Sequence, residues 1–285
     1  MKLGYSTWGM PKVPVEIAIR HISELGFDGI ELTVIPGYTT ELSTLNFNER
    51  QRIAKLLKDN HLQLSAISAH SNLLATDEEA YQQNMCRLKG GVDLAVDLAG
   101  DNIMPAVNTT PGGSPNQWEE LKSFLVERIN ELVDYAKLRG VTIAMEPHVG
   151  AIIDTPNKMR ECLDLVDSPY FKVNFDISHF DVVGFTIEET VAALAPHSIH
   201  THVKDQRGRH PDFEFLIPGE GDFDYITYLK EMQKFDYDGF ITVEVSMMVQ
   251  QRKDYDPLAA ATLSYQTLSH AFTAASIDRS LEIIQ

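Results

Sequence analysis

Four residues of metal-binding type each lie at or beside the end of a short apolar run. They are Glu146, Asp176, His202 and Glu244. A charge at the end of an apolar strand is costly to desolvate unless it is paired, and a shared cation would remove that cost. Three carboxylates and one imidazole suit Mn²⁺, Mg²⁺ or Co²⁺ better than they suit structural zinc, which favours cysteine-rich sites. The set predicts a site for one divalent cation, whereas each carboxylate taken alone would more often be a helix cap or a surface group.

The elements that must position these residues alternate between two kinds. Eight short apolar runs predict strands at residues 2–6, 29–32, 63–68, 102–107, 141–145, 171–175, 199–203 and 239–243. Segments with helical spacing follow them at 15–25, 49–60, 78–98, 118–138, 157–165, 187–194, 225–234 and 258–284. The loops at 111–115 and 208–217 have no predictable shape. Such alternation indicates parallel strands joined by crossover helices.

Eight strand–helix units in 285 residues predict an α/β fold, a single (β/α)8 TIM barrel over residues 1–285. An open doubly wound sheet would more often stop at five or six strands, and the GxGxxG fingerprint is absent after the first strand. In a barrel the carboxyl ends of all strands form one face, which carries the active site. The predicted cation ligands, on strands five to eight, would therefore meet at one mouth.

Composition and charge exclude several classes of protein. A chain with 44% hydrophobic and 23% charged residues is not disordered, collagen-like or a coiled coil. Its net charge is 24 − 41 = −17, which repels nucleic acid and anionic lipid. No apolar run approaches the ~20 residues needed to cross a bilayer, and the N-terminus lacks the apolar stretch of a secretory signal. We therefore expect a cytoplasmic protein that binds neither nucleic acid nor membrane.

Longer motifs resemble a known family. The matching segments are MEPH at 145–148, NFDISH at 174–179, HTHVKD at 200–205, PGEGDFD at 218–224 and GFITVE at 239–244. Together with LGYS at 3–6 and GFDGIEL at 26–32, they resemble the sugar phosphate isomerase/epimerase group of the xylose isomerase-like TIM barrel superfamily. That group includes ketose 3-epimerases, hydroxypyruvate isomerases and inosose dehydratases. The resemblance spans the whole chain but does not single out one member.

The resemblance implies that Glu146, Asp176, His202 and Glu244 bind one divalent cation, Mn²⁺ before Mg²⁺, Co²⁺ or Zn²⁺. It also implies that Glu146 and Glu244 face a ketose or keto-sugar from opposite sides and exchange its α-proton through a metal-stabilised enediolate. A metal that binds a carbonyl acidifies the neighbouring C–H, which supports these roles. The implied enzyme is a sugar isomerase or epimerase in carbohydrate metabolism.

Further residues are predicted to contact or support the substrate. His179 resembles the family's substrate-binding histidine, and Arg207 could hold a hydroxyl or a phosphate, with Arg209 as its competitor. The other predicted substrate-binding residues are His148, Glu31, His70 and Trp8, the last as an apolar wall. The pair Lys204 and Asp205 is predicted to orient the metal-binding histidine or a substrate hydroxyl, with a surface ion pair as the alternative.

Three other functions remain open. A dehydratase or lyase of the inosose type would use the same cation and one carboxylate with a leaving hydroxyl. A DNA repair enzyme of the endonuclease IV type would need a three-metal cluster, but Asn108 stands where it needs another histidine, and the charge opposes duplex binding. The third is a sugar-binding subunit without activity. The predicted substrate is a small sugar or polyol, and the chain could form a homo-dimer or tetramer.

Overall fold

Eight parallel strands close into a barrel in the computed structural model, which describes residues 1–99 and 104–279. The barrel strands are β1 (Lys2–Ser6), β2 (Gly29–Thr33), β3 (Gln63–Ser68), β4 (Ala106–Thr109), β5 (Ile143–Met145), β6 (Phe171–Asp176), β7 (Ser198–Val203) and β10 (Phe240–Val243). Each strand pairs with the next one around the barrel, and β10 pairs with β1 to close it. The predicted (β/α)8 TIM barrel is confirmed. That residues 1–285 form one domain stays a prediction.

Ten α-helices are found among the described residues, and the long ones surround the barrel. They are α1 (Val15–Leu25), α2 (Phe47–Asp59), α3 (Glu78–Ala99), α4 (Trp118–Lys137), α5 (Pro156–Val166), α6 (Ile177–Asp181), α7 (Ile187–Leu194), α8 (Tyr225–Lys234), α9 (Met247–Gln250) and α10 (Pro257–Ala275). In α1, Val15, Ala18, Ile19 and Ile22 are buried, which is the spacing of one helix face packed on the strands. Gly26 ends that helix in the left-handed conformation, with φ of 97°.

Several predicted boundaries differ from those of the structure, and in two elements the difference exceeds two residues. The fourth strand begins at Ala106 and continues through Asn108 to Thr109, whereas the prediction began at residue 102 and ended at 107; residues 102–103 lie outside the described part of the chain. The last helix ends at Ala275 because Ser276 adopts a left-handed conformation with φ of 57°. The rest of that prediction, 280–284, also lies outside the described residues.

A hairpin projects from the carboxyl end of the barrel between β7 and α8. Its strands are β8 (Asp205–Arg209) and β9 (Asp212–Leu216), which pair antiparallel. Much of this hairpin falls in the segment 208–217, whose shape could not be predicted from the sequence. The hairpin matters for function because it begins three residues after His202 and covers one side of the barrel mouth.

Two irregularities interrupt the barrel register. Between β2 and β3, Ile30 pairs with Leu64 and Glu31 with Ala66, so Ser65 has no partner. Between β6 and β7, Val173 pairs with Ser198 and Asn174 with His200, so Ile199 is skipped. A bulge of this kind re-aims the side chains that follow it. Both bulges lie directly beside polar residues that point into the barrel.

The opposite, amino-terminal face of the barrel carries an ion pair. Arg279 donates two hydrogen bonds to Asp28, from Nε at 2.9 Å and Nη2 at 2.7 Å, and a third to the carbonyl of Gly26. Asp28 also accepts from the backbone N–H of Leu3 at 2.7 Å. These contacts fasten the segment after α10 beneath the barrel. No helix within 1–99 or 104–279 is both long and apolar enough to cross a membrane.

Candidate functional site

The four predicted cation ligands lie together at the carboxyl ends of their strands. All four are buried, with at most 5% of the residue exposed. The Nδ1 atom of His202 is 3.6 Å from Oε1 of Glu146 and 3.5 Å from Oε1 of Glu244. These three residues and His70 offer ligand atoms that all lie within 4.8 Å of one another. Asp176 belongs to an adjoining cluster of the same kind with Glu146 and His179, so Glu146 is shared by both clusters.

Lys204 lies between two of the predicted ligands. Its ammonium group is 2.6 Å from Oδ2 of Asp176 and 2.6 Å from Oε2 of Glu244, and the residue is 2% exposed. Burial alone would lower the pKa of Lys204, but the charges of Asp176 and Glu244 raise it above its ordinary value. Burial would likewise raise the pKa of Glu244, but Lys204 and His202 lower it to about 2. The site thus holds ionised carboxylates around one ammonium group.

Asp176 is oriented by the turn that follows its strand. Its Oδ1 accepts hydrogen bonds from the backbone N–H of Ser178 at 2.9 Å and from the Ser178 hydroxyl at 2.5 Å. This is the N-cap of α6, which starts at the residue after β6. Because one oxygen is fixed by the cap, the other faces the site, where Lys204 contacts it.

Two histidines flank Glu146. His70 Nε2 lies 3.3 Å from Glu146 Oε2 and 3.8 Å from Glu244 Oε1. His179 Nε2 lies 3.5 Å from Glu146 Oε1 and 3.4 Å from Asp176 Oδ2. Burial would raise the pKa of Glu146, but the imidazoles of His202, His179 and His70 hold it well below its ordinary value.

The donor set fits a divalent cation. Oxygens of Glu146 and Glu244 and the Nδ1 atom of His202 converge on one small volume, and a carboxylate oxygen has no proton to give to a neighbouring acceptor. Such a convergence is costly to bury unless positive charge lies beside it. Glu146, Asp176, His202 and Glu244 are the residues that would hold a cation there.

The other predicted residues occupy the walls of the mouth. The rings of His148 and His179 are in contact, with centroids 3.8 Å apart, and Trp8 meets His70 edge-on at 5.2 Å. Burial and, to a smaller extent, the neighbouring His179 lower the pKa of His148 to about 4. Phe215 was not among the predicted residues. The centroid of its ring lies 5.2 Å from that of His179 and 5.2 Å from the Lys204 ammonium. It arrives on the hairpin strand β9.

Three predicted residues make contacts different from those expected. Glu31 is fully buried beneath His202 and touches no open part of the mouth. Asp205 supports the 218–223 segment: it accepts hydrogen bonds from the N–H groups of Gly219 at 2.9 Å and Phe223 at 3.1 Å. Arg207 is exposed and binds the carboxylate of Glu214 and the backbone oxygen of Glu220.

Two interior residues lacked a predicted role. His200 precedes His202 by two residues on β7 and is 1% exposed, with Nε2 3.1 Å from Oε2 of Glu31. The Nδ2 atom of Asn174 on β6 donates to Glu146 Oε2 at 3.4 Å and lies 3.2 Å from Nδ1 of His202. Both could have been selected from the sequence. Each lies two residues before a predicted ligand on the same strand, and alternate residues of a strand share a face.

Comparison with known proteins agrees with the geometry. Fructoselysine 3-epimerase of Shigella flexneri is 26% identical over 257 residues, covering 87% of this chain and 91% of that protein. Inosose dehydratase of Clostridium perfringens (strain 13 / Type A) is 26% identical over 162 residues, or 52% of each chain. The solved structure of the IOLI protein with a bound zinc atom has a TM-score of 0.76 at 20% identity and covers 96% of this chain and 98% of that one. The model of the xylose isomerase-like TIM barrel family matches residues 19–264, which confirms the resemblance: the chain belongs to the xylose isomerase-like TIM barrel family.

Proposed function

We propose that the protein is a divalent-cation-dependent isomerase or epimerase that acts on a ketose or keto-sugar. The observation that carries the proposal is the approach of Glu146 and Glu244 to one small volume from β5 and β10. These strands are separated in the barrel by β6 and β7, so the two carboxylates enter from different sides. The relationship to fructoselysine 3-epimerase supports this reaction class.

Each residue has a role that follows from its position. The chemistry that a divalent cation supplies in such a site is polarisation of a carbonyl oxygen, which acidifies the neighbouring C–H bond. Glu146, His202, Glu244 and Asp176 would hold it. One of the two glutamates, as the ionised base, accepts the proton from carbon. The other must carry a proton when the substrate is bound, and as the acid it returns that proton to the opposite face. Transfer to the opposite face inverts that carbon.

Several contacts favour an uncharged substrate over a phosphorylated one. Arg207 is paired with Glu214, Arg209 with Asp181 at 3.1 Å, and Lys204 with two carboxylates. A phosphate would have to displace one of these partners. We therefore propose a neutral sugar or polyol derivative, with His179, His148 and Trp8 at its edges and His70 beside the two glutamates.

A dehydratase is the second candidate, and the relationship to inosose dehydratase favours it. There, one glutamate would remove the proton next to the carbonyl, while a hydroxyl on the following carbon leaves with a proton from the other. The two reactions share the cation and the acid–base residues. They differ in the product.

The decisive experiment incubates the Mn²⁺-loaded protein with ketoses, inososes and keto-glycosides in D₂O and follows the substrate by NMR. Deuterium at an inverted carbon identifies an epimerase, and an unsaturated or diketo product identifies a dehydratase. Sugar binding without turnover of any compound would instead favour a non-catalytic subunit. About three zinc ions per chain, in place of the one cation expected, would favour the DNA repair class.

Glu146→Gln and Glu244→Gln should each reduce turnover by a factor on the order of 10² to 10⁴. An amide keeps the shape of the side chain but cannot accept the proton. Glu161→Gln is the control, because Glu161 binds Trp118 and Lys122 on the outer helix layer and lies outside the proposed site. Full activity in either glutamine variant would remove that glutamate from proton transfer.

A further inference from the structure

The carboxylate of Glu31 is surrounded by donors inside the barrel. Its Oε1 accepts from the hydroxyl of Ser6 at 2.5 Å. Its Oε2 accepts from Asn108 Nδ2 at 2.5 Å and from His202 Nε2 at 2.9 Å, and His200 Nε2 lies 3.1 Å away. The residue has no exposed surface. A fully buried carboxylate is expensive unless such donors surround it, and here they come from β1, β4 and β7.

Both register irregularities of the barrel lie beside this cluster. On β3 the bulge falls opposite Ile30 and Glu31, and on β7 it falls at Ile199, immediately before His200. The skipped Ile199 is 39% exposed, whereas His200 and His202 are buried. The bulge on β7 thus sets which residues of the strand face inward. Glu31 and the two histidines are brought together by local departures from regular pairing.

The contact between Glu31 and His202 determines which ring nitrogen of His202 faces the mouth. Ser6 and Asn108 each donate a hydrogen bond to an oxygen of Glu31, which is the environment of an ionised carboxylate. An ionised carboxylate only accepts hydrogen bonds, so Nε2 of His202 must carry the proton that it receives. The Nδ1 atom of the same ring then points to Glu146 and Glu244, at 3.6 and 3.5 Å.

We propose that Glu31 is a positioning residue that fixes the ring of His202 through Nε2, so that Nδ1 is the atom presented to the cation. The proposal rests on the cation site of the proposed function. A carboxylate that holds the far nitrogen of a ligand histidine sets the orientation and raises the basicity of the ring. This role replaces the substrate contact expected for Glu31, because the side chain lies under His202 and has no route to the mouth.

Ser6 and Asn108 complete the arrangement. Each donates to Glu31, so the carboxylate cannot rotate away from His202 without losing a buried hydrogen bond. Ser6 also accepts from the backbone N–H of Trp8 at 3.1 Å, which connects the cluster to the wall of the mouth. The support for His202 is therefore built from several strands and does not depend on β7 alone.

The test compares Zn²⁺ binding by the wild type and by Glu31→Gln, using calorimetry, and NMR of the ring nitrogens of His202 in the Zn²⁺-loaded proteins. We expect Zn²⁺ affinity to fall about 10- to 100-fold in the variant. In the wild type, we expect a slowly exchanging Nε2–H proton on His202 and a Zn²⁺-bound Nδ1. In the variant, we expect that proton signal to shift and to exchange faster.

Asp28→Asn is the matched control. Asp28 is a buried, ion-paired carboxylate just before the same strand, but it lies at the other end of the barrel. The Asp28→Asn substitution should lower the free energy of unfolding and leave the Zn²⁺ affinity unchanged. Unchanged affinity and an unchanged His202 signal in Glu31→Gln would overturn the positioning role alone. A wild type that binds no Zn²⁺ at His202 would overturn the cation site and this role with it. If Glu31→Gln does not fold, the wild-type NMR decides, since Zn²⁺ on Nε2 contradicts the proposal.

Discussion

Lys204 brings a positive charge into a pocket that is otherwise lined by carboxylates and imidazoles. Glu146, Asp176 and Glu244 carry three negative charges, and Lys204 balances one of them. A divalent cation would balance the other two. That Lys204 orients the metal-binding histidine or a substrate hydroxyl stays a prediction. Its ammonium group is part of the charge balance of the site.

At the residue scale, Lys204→Met should lower the free energy of unfolding of the metal-free protein by about 3 to 5 kcal/mol, because it leaves buried carboxylates without their partner. Added Mn²⁺ should recover part of that loss. Urea denaturation with chelator and with Mn²⁺ measures both effects. Lys55→Met, which removes an exposed pair with Asp59, should cost at most about 1 kcal/mol. Equal stability of Lys204→Met and wild type in chelator would contradict this account.

At the scale of elements, the hairpin and the 218–223 segment are joined through Asp205. Its carboxylate accepts from Gly219, Phe223 and its own neighbour Gln206. The packing explains the Gly-Glu-Gly motif. Gly219 has φ of 105°, and a Cβ at Gly221 would collide with Asp205 and lie 2.7 Å from the Gln206 backbone oxygen. The motif thus keeps the wall that carries Phe215 in place.

Gly221→Ala should therefore destabilise the protein by roughly 1 to 3 kcal/mol and weaken substrate binding, because the segment must move away from Asp205. Thermal unfolding and KM with the substrate identified by NMR test the two effects. Gly90→Ala is the comparison: there the new methyl meets only the flexible end of Leu42, and alanine favours the helix. If Gly221→Ala behaves like Gly90→Ala, the packing argument is wrong.

The elements were largely predictable because the fold repeats one pattern. Apolar runs and helical spacing predict all eight units. Thr155 and Asp256, each followed by a proline, form the N-caps of α5 and α10. The hairpin escaped prediction because β8 is polar and the two strands stand outside the strand–helix repeat. The bulges at Ser65 and Ile199 escaped it because register depends on which strand lies alongside, which a single sequence does not reveal.

The candidate site was predictable only in its outline. Residues at strand ends, such as Glu146 and Glu244, could be selected because a barrel gathers those ends at one mouth. The contacts of Glu31, Lys204 and Asp205 could not be predicted, because they depend on the direction of side chains on strands that are distant in sequence.

At the scale of the whole molecule, the two ends of the barrel have separate tasks. The carboxyl end carries the candidate site, and the amino end is fastened by Arg279 and Asp28, whose side chains are 20% and 2% exposed. The net charge of −17 does not distinguish the two ends of the barrel, since it describes the molecule as a whole. Assembly into a dimer or tetramer stays a prediction.

Arg279→Gln should cost about 2 kcal/mol of stability, because Asp28 loses its charged donor. Turnover should stay unchanged below the unfolding temperature, since the ion pair lies at the end of the barrel remote from the site. Thermal unfolding and a steady-state assay at 25 °C measure the two properties. Arg52→Gln, an exposed pair with Glu49, should change neither. A large loss of turnover in Arg279→Gln would show that the two ends are coupled.

The position of Lys204 has a consequence for how the protein is made. Unlike a zinc finger, which stays unfolded until its metal arrives, this chain supplies a positive charge of its own at the centre, where the Lys204 ammonium contacts two of the three acidic side chains. We therefore expect the newly synthesised polypeptide to complete its barrel first and to acquire its ion afterwards. Which metal it carries would then reflect the ions available to the finished protein in the cell, and preparations from different growth media should differ in metal content.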